Sequence, residues 1–318
     1  MVARTPRTPP IDAMAAVANA SLRHDGIPQH LEPEELAEEL ESLDPERDLR
    51  VVEVGGVVVA YAWVWYHRSG ERLERAHLFG HVHPEHRGRG IGRGLVTWGV
   101  ERATELMRDA PPGLPRYVRA EVYEQVAAGH RLFVGAGFAP VRWFEELLRP
   151  LVEGDREPSG GAPGGYRLVA WTDERADELR DVRNESFADH WGSTPWTRER
   201  YVEVVTGFGT RTDLSAVAVH TGTGEVAAIA LAGHYPLDEA LTGRREGWIQ
   251  VLGTRAAHRG SGLASALVQD CCRRFAAAGF THAALSVDAD SPTGASRLYR
   301  SLGFEPARRS TTYELVVG

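Results

Sequence analysis

Hydrophobic and polar residues alternate along this chain in two periods, and the periods change at fixed places. Val51, Val52, Val54, Val57, Val58, Val59, Trp63 and Trp65 surround Gly55-Gly56, which predicts a strand, a tight turn and a second strand over 50–66. Leu214 to His220 and Val226 to Leu231 flank Thr221-Gly222-Thr223-Gly224 in the same pattern. A third strand is expected near Ala76 to Val82 and again near Trp248 to Thr254. The period then switches to helical, with Ile91, Leu95 and Trp98 in one place and Leu263, Leu267 and Cys271 in the other. Strands follow near Tyr117 to Val122 and Ala283 to Val287. A short helix then ends at Gly137 or Gly303, and a last strand covers Val141 to Leu148 or Thr311 to Val317. The acidic stretch Glu32 to Leu43 reads as a helix with one solvated face.

The pattern occurs twice because the sequence does. His86-Arg87-Gly88-Arg89-Gly90-Ile91 is answered by His258-Arg259-Gly260-Ser261-Gly262-Leu263, 172 positions later. Arg131-Leu132-Phe133, followed by Gly137-Phe138, is answered by Arg297-Leu298-Tyr299 and Gly303-Phe304, 166 positions later. Two matches in one order at nearly one offset indicate a tandem duplication. The Pro/Gly-rich run Glu157 to Gly165 has linker composition. The expected domains are therefore 1–156 and 166–318, joined by a linker over 157–165, and 318 residues suffice for two such cores.

Composition narrows the function classes. The formal net charge of −8 disfavours a general nucleic-acid binder. Lysine is absent, so neither a Schiff base nor a Walker-type phosphate loop is available. Asparagine occurs only as Asn19 and Asn184, a bias that matches a GC-rich bacterial genome. The two cysteines, Cys271 and Cys272, are adjacent and close no loop, which fits a reducing cytoplasm. No apolar run has the length of a signal peptide or a membrane span, and no metal-ligand spacing is present.

The chemical signal is the glycine loop. Each copy follows a strand and opens a helix, where unpaired backbone N–H groups and the helix dipole favour an anion. Arg87 or Arg259 adds charge beside it, so each loop reads as a phosphate or pyrophosphate cradle or, more simply, as a turn that packs a helix on a strand. A Rossmann fold would place its glycines after the first strand, whereas three strands precede them here.

Arg-x-x-Gly-x-Gly/Ala after a strand, with Leu-Tyr-x-x-x-Gly-Phe about 40 residues on, resembles the GNAT superfamily of N-acetyltransferases. The resemblance covers nearly the whole chain, and its layout is similar to tandem members such as the mycothiol synthases. It implies an α/β (α+β) fold of two tandem GNAT domains, each a mixed, mostly antiparallel sheet with splayed central strands flanked by helices. It also implies that acetyl-CoA, a cosubstrate, lies between the splayed strands and that an amine attacks its thioester directly. By position, its contacts fall on Leu252, Gly253, Thr254, Arg259, Gly260, Ser261, Gly262, Leu263 and Ala264. In the first half they fall on Gly80, His81, Val82, Arg87, Gly88, Arg89, Gly90, Ile91 and Gly92. Tyr299 is the implied acid for the departing thiolate, although a tyrosine on such a helix can equally be core. The first half has Phe133 there and no proton to give, so catalysis is expected in the second half.

The base is less defined. Glu246 shares strand parity with Trp248 and Gln250, and His234 ends the preceding strand. Phe187 to Trp196 falls where the family walls its acceptor pocket, so His190, Trp191 and Trp196 are candidate acceptor contacts or a loop packed on the core. The expected acceptor is a small-molecule amine, with no nucleic acid, membrane or metal partner. A non-catalytic CoA-binding or ligand-sensing protein, and an amino-sugar acetyltransferase of the mycothiol synthase type, are the alternatives.

Overall fold

The computed structural model describes residues 2–68, 72–157, 161–290 and 294–318. Its chain runs β1 (Val2–Arg4), α1 (Ile11–His24), α2 (Pro33–Glu41), α3 (Pro45–Asp48), β2 (Leu49–Val54), β3 (Val57–Tyr66), β4 (Glu74–Val82), α4 (Ile91–Leu106), β5 (Arg116–Tyr123), α5 (Ala127–Gly135) and β6 (Ala139–Pro150). It continues β7 (Tyr166–Ala170), α6 (Ala176–Ser186), α7 (Arg198–Thr206), β8 (Ala216–His220), β9 (Val226–Gly233), α8 (Asp238–Thr242), β10 (Glu246–Thr254), α9 (Leu263–Ala277), β11 (His282–Asp288), α10 (Ala295–Ser301) and β12 (Glu305–Val316).

Two compact units form, but they are not the two halves of the sequence. One holds Met1–Trp143 together with Arg309–Gly318, and the other holds Phe144–Arg308. In the first unit the strand order is β1-β2-β3-β4-β5-β12, and in the second it is β7-β8-β9-β10-β11-β6. Each half thus gives its last strand to the other unit. Tyr313 of β12 lies opposite Ala120 of β5, and Leu147 of β6 lies opposite Leu285 of β11. The expected boundaries at 156 and 166 miss this exchange, since either strand satisfies the same hydrogen-bonding edge. Of the expected linker, residues 158–160 lie outside the described residues.

Within each unit only the central pair, β4/β5 or β10/β11, is parallel, and the other strand pairings are antiparallel. The Gly55-Gly56 turn carries φ of 59° and 82°, the left-handed pair that a two-residue hairpin needs. Along β3, Ala60, Ala62 and Val64 face α4, while Tyr61 and Trp63 face α1 and α2. Covering both faces explains why this strand reads as a continuous apolar run. In the second unit Leu263, Leu267, Cys271 and Phe275 seat α9 on the alanines of β9, and Leu179 and Val182 of α6 cover the opposite face. Each fully buried leucine or phenylalanine contributes about 1.5–3 kcal/mol to that seating.

The sequence reading did not anticipate α1, β1, β7 or α7. α1 has the right period, with Met14, Ala15, Val17, Ala18 and Ser21 buried, but its core side is built largely of alanine. One local device repeats in both units. Asn19 donates to Leu31 O at 3.0 Å and accepts from Leu31 N at 2.9 Å. Asn184 donates to Trp196 O at 3.0 Å and accepts from Trp196 N at 2.7 Å. The only two asparagines of the chain therefore perform one task, each closing the loop that follows the first long helix of its unit.

Candidate active site

The second unit opens at a fork. β10 and β11 pair from Glu246 opposite His282 to Ile249 opposite Leu285, and no pairing continues beyond. Leu252, Gly253 and Thr254 remain bonded to β9 but, among the described residues, pair with no strand on the β11 side. A bulge between Ile249 and Val251 interrupts the β9–β10 ladder at the fork itself. Such a bulge leaves Gln250 unpaired and re-aims the strand. Ile249 consequently packs toward α9 while Val251 packs toward α6. The first unit forks in the same way, with pairing from Glu74–Arg116 to His77–Arg119, and Gly80, His81 and Val82 lie beyond it. There, however, the β3–β4 ladder runs without a bulge.

Each fork leads into its glycine loop. Gly260 and Gly262 hold φ of 78° and 82°, and Gly88 and Gly90 hold 75° and 82°. At these values a side chain is strained, so glycine is required. Gly262 and Gly90 are the residues preceding α9 and α4, and neither helix start is closed by a side chain. The first-turn N–H groups, among them those of Leu263 and Ala264 or Ile91 and Gly92, are left for an external acceptor. The Ser261 hydroxyl is turned away, donating to His258 O at 2.5 Å.

The two arginines differ. Arg87 grips Asp25 through both terminal nitrogens at 2.7 and 2.8 Å, and also donates to Ser21 Oγ at 2.7 Å and Val82 O at 3.2 Å. Its charge is spent tying α1 to the loop. Among the described residues Arg259 reaches only Thr254 O at 3.4 Å and Ser186 O at 3.3 Å, and it is exposed. Among the described residues no carboxylate pairs with it. Arg89, between the glycines of the first loop, is exposed as well.

Tyr299 is buried on α10, with its ring edge-on to Phe304 at 6.1 Å. Burial pushes its phenol up to about 12, and no group among the described residues hydrogen-bonds the hydroxyl. Such a phenol stays protonated throughout the neutral range. Phe133 occupies the matching place on α5, packed against Phe138 at 5.2 Å and Tyr313 at 5.9 Å.

The other candidates are placed as follows. Gly247 faces Phe275 of α9, so Glu246 and Trp248 face the opposite side, the one that α6 covers. Glu246 is buried and accepts from Arg244 Nε at 2.8 Å. His234 lies 3.0 Å from Glu239 and edge-on to Phe280 at 4.8 Å, and burial lowers its pKa. Trp196 is partly buried beneath the Arg183 guanidinium, 4.3 Å from its ring, and packs with the α6 core. His190 is 5.3 Å from Phe187, and Trp191 is half-buried in the same loop. The structure therefore gathers Leu252 to Thr254, Arg259 to Ala264 and Glu246 along one strand and its loop. It ties His190, Trp191 and Trp196 into a separate loop braced by Arg183, which donates to Thr194 O at 2.6 Å. Sequence reasoning missed Asp25, Arg183 and Arg244. No spacing signals the first two, whereas Arg244 stands two residues from Glu246 on the same strand approach.

No group of three or more histidines, cysteines or acids among the described residues is placed to hold a metal, and no helix there is long and apolar enough to cross a membrane.

A mixed sheet with a parallel fork, a loop of left-handed glycines and a helix opening onto it defines an acyltransferase fold. The chain belongs to the Acetyltransferase (GNAT) family, which matches it twice, over residues 16–138 and 172–304, and it is an acyltransferase of the N-acetyltransferase type. The family generally draws its acetyl group from acetyl-CoA. A curated relative, the mycothiol acetyltransferase of Frankia alni, is 30% identical over 242 residues, spanning 73% of this chain and 68% of its own. The crystal structure of a GCN5-related N-acetyltransferase from Sphaerobacter thermophilus superposes with a TM-score of 0.77 at 28% identity, over 99% of this chain and 95% of that one. A tandem GNAT protein from the clavulanic acid biosynthesis pathway shares the fold, with a TM-score of 0.64 at 20% identity over 97% and 94% of the two chains.

Proposed function

We propose that the second unit transfers the acetyl group of acetyl-CoA to a primary amine of a small molecule by direct attack. The observation that carries this reading is the asymmetry between the two forks. The second alone combines a bulge at the branch point, an arginine with no carboxylate partner and a buried phenol. The residues fit acetyl-CoA: the open edge of Leu252 to Thr254 offers backbone groups to its amide arm, and the loop from Arg259 to Ala264 offers N–H groups and charge to its pyrophosphate. Acetyl-CoA supplies an activated thioester. Tyr299 holds the proton that a departing thiolate takes up, and Glu246, on the α6 side of the sheet, takes the amine proton directly or through water.

In the first unit, the loop from Arg87 to Gly92 with Gly80, His81 and Val82 retains a CoA-type cradle without that acid. The test is an acetyl-transfer screen over D-glucosamine, spermidine, amino acid esters and a cysteinyl amino sugar, with thiol release as the readout. Thioester cleavage with none of them would leave the non-catalytic CoA-binding reading standing. Selective transfer to the cysteinyl amino sugar would establish the second reading, which the likeness to the Frankia mycothiol acetyltransferase favours.

A further inference from the structure

The bulge places one side chain at the branch point, and that side chain is held. Gln250 lies one residue past the last β10–β11 pair and inside the break in the β9–β10 ladder. Its carboxamide Nε2 donates to the Tyr235 hydroxyl at 3.0 Å. It lies across Gly233 so closely that a Cβ there would sit 2.3 Å from Nε2 and 2.6 Å from Cδ. Gly233 pairs with Trp248, so Gln250 occupies the face of the sheet that Trp248 and Glu246 share. Tyr235 is fitted in its turn. Its ring lies over Gly209, where a Cβ would come within 2.8 Å of Cε1, and Phe208 stands 6.4 Å away. Two glycines thus make room for one oriented carboxamide. With Nε2 engaged, Oε1 carries no hydrogen bond among the described residues, and the side chain is exposed.

We propose that Gln250 is the acceptor-orienting residue of the second unit: its Oε1 accepts one N–H of the incoming amine, and Tyr235 is the positioning residue that fixes the carboxamide. The inference rests on the reading of this fork as the transfer site. A carbonyl oxygen is suited to this task because it accepts from an amine in either protonation state without trapping it as an ion pair. A hydrogen bond to one N–H leaves the nitrogen lone pair free for the thioester and fixes its direction, which is the entropic part of the barrier.

The experiment measures KM for the amine and for acetyl-CoA separately, using D-glucosamine and spermidine and whichever other screened amine is turned over. Gln250→Ala is expected to raise the amine KM about tenfold, the worth of one hydrogen bond to a charged or strongly polar group. The acetyl-CoA KM stays at the wild-type value. Gln250→Glu restores an acceptor oxygen and recovers part of the loss, and Tyr235→Phe gives a smaller rise in the same direction. Gly233→Ala displaces the carboxamide, so it acts like Gln250→Ala alone and adds nothing to it in the double variant. If Gly233→Ala does not fold, the Gln250 and Tyr235 variants decide the matter. An unchanged amine KM in folded Gln250→Ala, or an equal rise in both KM values, overturns the proposal. A wild type that acetylates none of the amines overturns the parent reading and this one with it.

Discussion

Replacing Tyr299 by phenylalanine separates a chemical role from a packing role. The ring is buried against Phe304 and stays so in the variant, while the hydroxyl has no partner among the described residues. Removing a hydroxyl that bonds nothing costs folding little, because no donor or acceptor is left stranded. Thermal stability should therefore move by less than about 1 kcal/mol, in either direction. The effect on the reaction is different. A general acid is typically worth about 10²–10⁴-fold, and kcat should fall by that factor with acetyl-CoA affinity nearly unchanged. The assay is thiol release under saturating acetyl-CoA and amine, beside a melting curve and a binding isotherm for acetyl-CoA. If kcat stays within threefold of wild type in a folded protein, Tyr299 is core and the proton comes from elsewhere. If the melting temperature drops steeply, the hydroxyl has a structural partner and the reasoning from its isolation fails.

Arg259→Ala should weaken acetyl-CoA binding about tenfold with no loss of stability, whereas Arg87→Ala should leave Asp25 unpaired and cost about 1–3 kcal/mol while sparing turnover; calorimetry and kcat read the two apart. His81 is held neutral chiefly by burial and then by Arg87, with a pKa near 4 against a usual 6.5. Below pH 6.5 the unfolded chain binds the extra proton and the folded chain does not, so stability is full above 6.5 and falls by up to about 3 kcal/mol as pH drops toward 4. Denaturant unfolding of His81→Gln at pH 7 and pH 4.5 should show a smaller difference than wild type. Asn184→Ala removes both bonds to Trp196 and should cost about 1–3 kcal/mol, together with faster proteolysis within 187–196.

Much of this architecture can be read in the sequence, for reasons that differ by element. The β2–β3 hairpin is legible because Gly55-Gly56 sits between two apolar runs and only a left-handed turn suits it. The glycine loops are legible because they occur twice. α1 is not, since alanine serves core and surface alike and leaves a faint period. The bulge at Gln250 is invisible to strand parity, which assigns alternate residues to alternate faces until a ladder shows otherwise. The charge state of each cradle is equally hidden. Arg87 and Arg259 are identical letters in matching motifs, and it is Asp25 and Ser21, 62 and 66 positions away, that distinguish them. Asn19 and Asn184 pass as composition bias until the loops they close are seen.

The exchange of β6 and β12 sets a clock on synthesis. The first unit has all its other elements once residue 143 has emerged, yet its share of the sixth strand begins only at Arg309, 166 positions later. At about 5–20 residues per second the interval is on the order of 10–35 s. Throughout it, β5 from Arg116 to Tyr123 lacks the β12 partner it has in the folded protein. A nascent first unit is thus an unfinished object waiting for a strand made in the second half of the chain. Truncation before Arg309 should accordingly harm the N-terminal unit first, because it removes the strand that pairs with β5 in the folded protein.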